Sequence, residues 1–337
     1  MQQMSTIFGC SGLRLNEAEK SFFREVKPWG FILFSRNIKS REQVRALVED
    51  MKQAVGLDDM PILIDQEGGR VSRLSQPEWR LPPAPTIFPK LYASHPQAAL
   101  EAARINYRLI AHDLKEIGVN VDCAPMLDVP VAGAHDIVVE RALGTDVQTV
   151  CAIGHAVVEG LLGGGVAPVI KHGPGHGRAI VDSHKDLPRV SASRAELSET
   201  DFAPFKAFNT EAMLMTAHVI YDDIDAGAPA TISPIIIQDI LRRECGFDGL
   251  IMTDDLNMNA LSGTLEERGR ASLAAGCDML LHCNGVMADM EQVAKSSVTL
   301  KGAALRRAND AANVAFRPAQ DFEPDKALER LTALLNF

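Results

Sequence analysis

The sequence predicts a single-domain α/β fold, a TIM-like (β/α)8 barrel with extra helices at its C-terminal end. Eight short apolar runs recur along the 337 residues, and most are followed by a stretch with helical patterning. The strand-helix alternation favours a parallel sheet with helices outside, and eight units spaced roughly 25 to 60 residues apart fit a closed barrel better than an open sheet. Because 46% of the residues are hydrophobic, residues 1–337 can form one barrel domain around a single core.

The eight apolar runs are the candidate strands. They are Thr6–Cys10, Gly30–Phe34, Pro61–Ile64, Val119–Cys123, Val166–Ile170, Met213–Ala217, Leu250–Thr253 and Asp278–His282. Most of them lack a regular alternation of polar and apolar residues, which is typical of parallel strands buried on both faces. Apolar runs of this length are also compatible with short segments of buried helix.

Helix start signals stand between these runs. They are Asn16 with Glu19, Ser40 with Gln43, Thr264 with Glu267, and Ser233 followed by Pro234. A capping side chain with Glu or Gln three residues later, or a proline in the first turn, is typical of a helix N-terminus. The tail, residues 300–337, has helical periodicity in two segments, and we expect both to be packing helices without chemistry of their own.

Charge and cysteine content narrow the class of protein. A formal charge of −10 argues against an extended nucleic-acid surface, because binding phosphates requires clustered Lys and Arg. The six cysteines are widely spaced in apolar surroundings, which predicts reduced packing residues and a reducing compartment. The N-terminal residues lack a basic region followed by a long apolar stretch, and no 18 apolar residues run together. We therefore expect a cytoplasmic protein that binds a small molecule and has no membrane partner.

Ionisable residues gather directly after the predicted strands, at the end of a barrel where enzymes build their sites. The third run is followed by DQEGGRVSR, the fifth by KHG and the seventh by the acidic pair Asp254-Asp255. Adjacent residues of an extended chain point in opposite directions. One of the two carboxylates should therefore face the barrel mouth, while the other accepts backbone N–H bonds at a helix N-terminus.

Several of these polar residues also have a purely structural interpretation. Glu67 could pair with Arg70, Asp122 or Asp128 could cap a loop, and His218 could be a satisfied core histidine. These alternatives remain open at the level of the sequence.

The segment VIKHGPGHGRAIVDSHKDLP, residues 169–188, is the loop that stands out along the chain. Its glycines make the backbone permissive, and Asp182 lies two residues from His184. A carboxylate at that distance can orient the imidazole and raise its basicity, which is a general acid/base arrangement. The alternative chemistry is a zinc site formed by His172, His176, His184 and His218, but the sequence has no HExxH motif and no CxxC pair. We expect no metal.

Three motifs occur in a specific order. They are DQEGGRV at 65–71, KHGPGHG at 171–177 with DSH at 182–184, and TDDLNM at 253–258. Together these motifs resemble those of family 3 glycoside hydrolases of the bacterial β-N-acetylhexosaminidase type. The resemblance implies a retaining mechanism without a cofactor. Asp254 matches the nucleophile, and His184 matches the acid/base with Asp182 as its partner. Further positions match residues that contact the sugar: Asp65, Arg73, Arg141, Lys171 and His172.

The resemblance also implies a substrate. It suggests a monomeric exo-β-N-acetylglucosaminidase that removes terminal GlcNAc from muropeptides, namely GlcNAc-1,6-anhydroMurNAc peptides, during cell-wall recycling. Two alternatives stay open. One is a β-N-acetylglucosaminide phosphorylase on the same scaffold, since a neutral histidine would repel incoming phosphate less than a glutamate would. The other is a sugar-binding barrel without catalytic activity.

Overall fold

The computed structural model describes residues 3–179 and 187–336. Eight main parallel strands alternate with helices, and a short parallel pair, Arg189–Val190 and Ile220–Tyr221, forms a separate two-stranded sheet. The strands are β1 (Met4–Phe8), β2 (Pro28–Leu33), β3 (Ile62–Ile64), β4 (Val121–Asp122), β5 (in two segments, Ala167–Pro168 and Ile170–Gly173), β6 (Met213–Thr216), β7 (Leu250–Met252) and β8 (Leu280–His282). Each of the eight predicted runs overlaps one of these strands. The strand prediction is therefore confirmed.

The strand pairings follow one another around the fold. One sheet has the order β8-β1-β2-β3-β4-β5, and a second has the order β7-β6-β5, so β5 belongs to both. An isolated parallel bridge between Met252 and Met279 connects β7 with the residue before β8. This is the predicted TIM-like (β/α)8 arrangement, in which the carboxyl ends of all strands lie on one side.

Side chains of the strands and of one C-terminal helix form the core of the barrel. Apolar side chains of the strands, among them Ile7, Leu63 and Met252, form a fully buried cluster. Ala308 and Ala311 belong to the same cluster, and Arg307 of the same helix donates to the carbonyl of Asp248, just before β7. The helix Gly302–Ala315 therefore covers the amino ends of the strands, which leaves the carboxyl ends for the site.

The helices between and after the strands are short to medium in length. They are Glu17–Val26, Arg41–Val55, Ile87–Tyr92, Pro96–Glu116, Asp136–Val139, Val147–Gly163, Arg194–Glu199, Ala203–Ala207, the π-helical Ile235–Glu244, Leu265–Ala275, Met287–Ser296, Gly302–Ala315 and Pro324–Leu335. Within the two described ranges, no helix is both long enough and apolar enough to cross a membrane.

The predicted helix starts are present. Asn16 and Thr264 each form a reciprocal capping box with the glutamate three residues later. The Ser40 hydroxyl accepts the Gln43 N–H, and the Ser233 hydroxyl accepts the Ile236 N–H. Local sequence signals therefore set where these helices begin, because each cap satisfies an N–H that would otherwise lack a partner.

The capping box at Thr264 gives a stability prediction. Replacing Thr264 by Ala removes the acceptor of the Glu267 N–H, and we expect the free energy of unfolding to fall by about 1 kcal/mol. The measurement is urea unfolding followed by circular dichroism. Thr332→Ala is the control, because Thr332 is exposed inside the helix Pro324–Leu335, where alanine is a better helix former. Equal losses in the two variants would contradict the capping role.

Candidate active site

A cavity of about 390 Å³ opens at the carboxyl ends of the strands. Its walls contain every predicted site residue that the structure describes: Asp65, Arg73, Arg141, Lys171, His172 and Asp254. Apolar side chains, including Ile32, Met215 and Leu281, complete the lining. The predicted acid/base His184 and its partner Asp182 lie outside the described residues. One cavity therefore contains the predicted nucleophile and all five residues predicted to contact the sugar.

A tight hairpin directly after β3 returns Arg73 to Asp65. Its two strands, Gln66–Gly68 and Val71–Ser72, pair antiparallel. Gly68 has a φ of +103°, and a Cβ there would lie 2.4 Å from the Pro83 carbonyl oxygen, so this turn requires glycine. The Gln66 side-chain oxygen accepts the N–H groups of Arg73 at 2.7 Å and Leu74 at 3.0 Å. The hairpin therefore places the Arg73 guanidinium 3.1 Å from the Asp65 carboxylate.

Lys171, in β5, is the centre of a buried ion-pair network. Its Nζ lies 2.8 Å from Asp65 Oδ1 and 2.6 Å from Glu67 Oε1, and the lysine side chain is 2% exposed. Burial alone would raise the pKa of Asp65, but the charges of Lys171 and Arg73 outweigh it and hold that pKa well below its usual range. Burial would likewise lower the pKa of Lys171, yet Asp65 and Glu67 raise it above its ordinary value. Both groups are therefore charged at neutral pH.

Glu67 has a different partner from the one considered in the sequence. The alternative pairing with Arg70 is wrong, because Arg70 binds Glu140. Glu67 instead accepts two bonds from Arg141, at 2.8 Å from Nε and 2.7 Å from Nη2, in addition to Lys171. Burial opposes ionisation, but Arg141 and Lys171 lower the pKa of Glu67 to about 2. Sequence reasoning missed this role, since Arg141 is 74 positions away and no local pattern connects the two.

Asp128 holds the imidazole of His172. Its Oδ2 lies 2.7 Å from His172 Nδ1, and its Oδ1 accepts the backbone N–H groups of His172 at 3.3 Å and His176 at 2.6 Å. Asp128 therefore caps backbone N–H groups, as one interpretation of the sequence held, and it also orients the His172 imidazole. Because Nδ1 is engaged by the carboxylate, Nε2 is the ring nitrogen left for a ligand in the cavity.

The two adjacent aspartates after β7 have different surroundings, although both line the cavity. The Asp255 carboxylate accepts the N–H groups of Asn257 and Cys283, each at 3.1 Å. Burial, reinforced by the neighbouring charge of Asp254, raises the pKa of Asp255. Asp254 accepts the Asp255 N–H at 2.8 Å through Oδ1. The Asp255 carboxylate is therefore engaged in holding the backbone of the loop, and Asp254 is the better candidate for chemistry at the cavity surface.

His218 is a core histidine, as the structural interpretation held. It is 1% exposed, and its Nδ1 lies 2.7 Å from the Thr231 hydroxyl while its Nε2 lies 3.1 Å from the Asp255 carbonyl. Burial lowers the pKa of His218. Across residues 3–179 and 187–336, no three His, Cys, Asp or Glu side chains are grouped so that they could hold a metal ion.

Similarity to known proteins identifies the family. The family model of the glycosyl hydrolase family 3 N terminal domain matches residues 1–312. The chain belongs to glycosyl hydrolase family 3. A beta-hexosaminidase of Thiobacillus denitrificans is 40% identical to this family 3 hydrolase over 294 residues, 86% of this chain and 80% of the relative. A beta-hexosaminidase of Alkalilimnicola ehrlichii is 39% identical over 282 residues, 82% of this chain and 80% of that one.

Solved structures agree with this assignment. NagZ from Neisseria gonorrhoeae, in complex with N-trifluoroacetyl-D-glucosamine, superposes with a TM-score of 0.88 at 29% identity, and the match covers 99% of both chains. A glycoside hydrolase family 3 beta-N-acetylglucosaminidase from Paenibacillus superposes with a TM-score of 0.84 at 27% identity, over 98% of this hydrolase and 66% of that chain.

The Glu67 ion pairs of this family 3 hydrolase predict a pH dependence of stability. A folded-state pKa of about 2 against an ordinary 4.5 means that the contribution of Glu67 is complete above about pH 4.5 and is lost as the pH falls towards 2. Glu67→Gln should lower the free energy of unfolding by about 3 kcal/mol at pH 7, because it removes the carboxylate that pairs with Arg141 and leaves the buried Lys171 with Asp65 alone. The difference from the wild type should shrink at pH 4 and further at pH 3.

Thermal or urea unfolding at pH 7, 4 and 3 measures this difference. Glu49→Gln, on an exposed helix position, is the control for losing a carboxylate without a buried ion pair. A Glu67→Gln deficit that stays constant over this pH range would contradict the role assigned to the ionised carboxylate.

Proposed function

We propose that this glycoside hydrolase is a retaining exo-β-N-acetylglucosaminidase, which removes terminal GlcNAc from the non-reducing end of its substrate. The observation that carries the proposal is the shared cavity, which Asp254 lines together with the paired charges of Asp65, Lys171 and Arg141. The names of the similar proteins, beta-hexosaminidase and beta-N-acetylglucosaminidase, support the choice of sugar. The N-trifluoroacetyl-D-glucosamine bound to the gonococcal NagZ supports it as well.

The buried charges suit a sugar with several hydroxyl groups and one acetamido group. Asp65 supplies acceptor oxygens, Arg73, Arg141 and Lys171 supply donors, and His172 supplies a nitrogen that Asp128 orients. Because each cation is already paired with a carboxylate, none of these side chains has to move far when a hydroxyl group arrives. A site arranged in advance in this way costs little reorganisation on binding.

The proposed reaction has two steps. The Asp254 carboxylate attacks the anomeric carbon and forms a glycosyl ester, while His184 gives its proton to the departing oxygen. A water molecule then attacks the same carbon, His184 takes the proton of that water, and Asp254 is released as a carboxylate. Asp182 would orient the imidazole. A histidine can act as acid and then as base near neutral pH, because its ordinary pKa lies in that range.

The cavity also favours cleavage at a chain end. Its lining includes Ile32, Met215 and Leu281, which belong to the apolar core of the barrel, so a bound sugar chain cannot continue into the barrel. We propose that the aglycone is a 1,6-anhydroMurNAc peptide and that the enzyme works as a monomer in cytoplasmic cell-wall recycling. The six cysteines are unpaired, and five of them are buried, which is compatible with a reducing compartment.

The nucleophile can be tested directly. Asp254→Asn keeps the shape of the side chain but cannot form the ester readily, so hydrolysis of 4-nitrophenyl β-GlcNAc should fall by roughly 10³-fold or more. Release of 4-nitrophenol by wild type and variant, with and without phosphate, is the measurement. Asp239→Asn, in an exposed ion pair with Arg243, is the control. A variant with near wild-type turnover would refute the nucleophile, and phosphate-dependent release of a sugar 1-phosphate would favour the phosphorylase.

The acid/base can be tested by the leaving group. His184→Ala should slow substrates with poor leaving groups, such as the disaccharide, far more than it slows 4-nitrophenyl β-GlcNAc, because an acidic phenol needs little protonation. The measurement is kcat/KM for both substrates in wild type and variant. Equal losses on the two substrates would count against the role as acid.

A further inference from the structure

Arg70 is held differently from the other cations of the cavity. Among the described lining residues, Arg73, Arg141 and Lys171 pair with carboxylates that are 15% exposed or less. Arg70 also lines the cavity, but its side chain is half exposed, and the side chain of its partner Glu140, 2.6 Å away, is 55% exposed. Among these lining cations, Arg70 is therefore the one whose carboxylate partner can be replaced by water.

The ion pairs Arg141–Glu67 and Arg70–Glu140 connect the same two segments of the chain. They differ in how easily a ligand could replace one partner. In the Arg141–Glu67 pair the side chains are only 12% and 2% exposed, so losing one member would leave a poorly solvated charge without its partner. The exposed Arg70–Glu140 pair contributes little free energy, because water and salt screen it. An incoming carboxylate can therefore replace Glu140 at Arg70 at small cost and retain a charge-assisted hydrogen bond.

The position of Arg70 indicates which part of a substrate would reach it. Arg70 lies at the turn between the hairpin strands Gln66–Gly68 and Val71–Ser72, and Glu140 follows the short helix Asp136–Val139. The half-exposed pair thus lies at the mouth of the cavity, above the buried floor formed by Asp65 and Lys171. If a terminal sugar occupies that floor, the group attached to it must leave through the mouth and pass Arg70.

We propose that Arg70 is a specificity residue that favours substrates whose aglycone carries a carboxylate, with Glu140 holding its place until such a substrate binds. This inference rests on the proposed function and adds a preference among aglycones to it. Glu140 has two effects in this arrangement. It keeps the guanidinium at the mouth, and it competes with the incoming carboxylate.

The test compares two substrates that differ in a single charge. One is the disaccharide GlcNAc-anhydroMurNAc, whose free lactyl carboxylate stands in for the carboxylates of a peptide aglycone, and the other is its neutral lactyl methyl ester. The quantity measured is the ratio of kcat/KM for the acid to kcat/KM for the ester. We expect the wild type to favour the acid, and the ratio to fall about two- to fivefold towards unity in Arg70→Gln. Added salt should lower the wild-type ratio and leave the variant's ratio nearly constant.

The chain offers a closely matched control. Arg104 and Glu159 form an ion pair at the same 2.6 Å with side chains 48% and 57% exposed, and they lie on the helices Pro96–Glu116 and Val147–Gly163 away from the cavity. Arg104→Gln should keep the wild-type ratio. Glu140→Gln should raise it, because the variant removes the competing carboxylate and leaves Arg70 in place.

The outcomes separate this inference from the function on which it rests. Equal turnover of the acid and the ester by the wild type, or an unchanged ratio in Arg70→Gln, would overturn the role of Arg70 alone. No turnover of either disaccharide or of 4-nitrophenyl β-GlcNAc would overturn the proposed function, and this inference with it.

Discussion

The buried ammonium of Lys171 is the constraint on which the site depends. A lysine that is 2% exposed would lose its charge or destabilise the fold unless carboxylates compensated it. Asp65 and Glu67, on the loop after β3, supply that compensation. The need to pair this charge therefore ties β5 to the β3 loop, and Arg141 is drawn into the same network through Glu67.

This network gives the cavity two regions with different physical properties. On the floor, Asp65, Lys171 and Arg141 are held by ion pairs whose side chains are 15% exposed or less, so their geometry is largely fixed before a ligand binds. At the mouth, the Arg70–Glu140 pair is open to water and can exchange partners. A rigid floor suits recognition of one sugar, whereas an exchangeable rim suits discrimination among the groups attached to it.

The sequence predicted much of the site because motif residues follow directly after strands. In a parallel barrel all such positions gather at one end, so Asp65, Lys171, His172 and Asp254 were expected to meet, and the structure places them around one cavity. The roles of Glu67 and Asp128 were not predicted. Each binds a partner at least 44 positions away. Many cationic side chains lie at such distances along the chain, and the sequence does not indicate which of them a given carboxylate will bind.

The sequence by itself determined the eight main strands, their alternation with helices, and several helix starts, because these depend on short-range patterns such as the apolar runs and the capping residues Asn16 and Thr264. Tertiary structure alone decided which charges pair. Glu67 pairs with Arg141 rather than with its near neighbour Arg70, because the barrel buries the first pair and leaves the second to water. Burial sets the strength of an ion pair, and burial exists only once distant strands have come together.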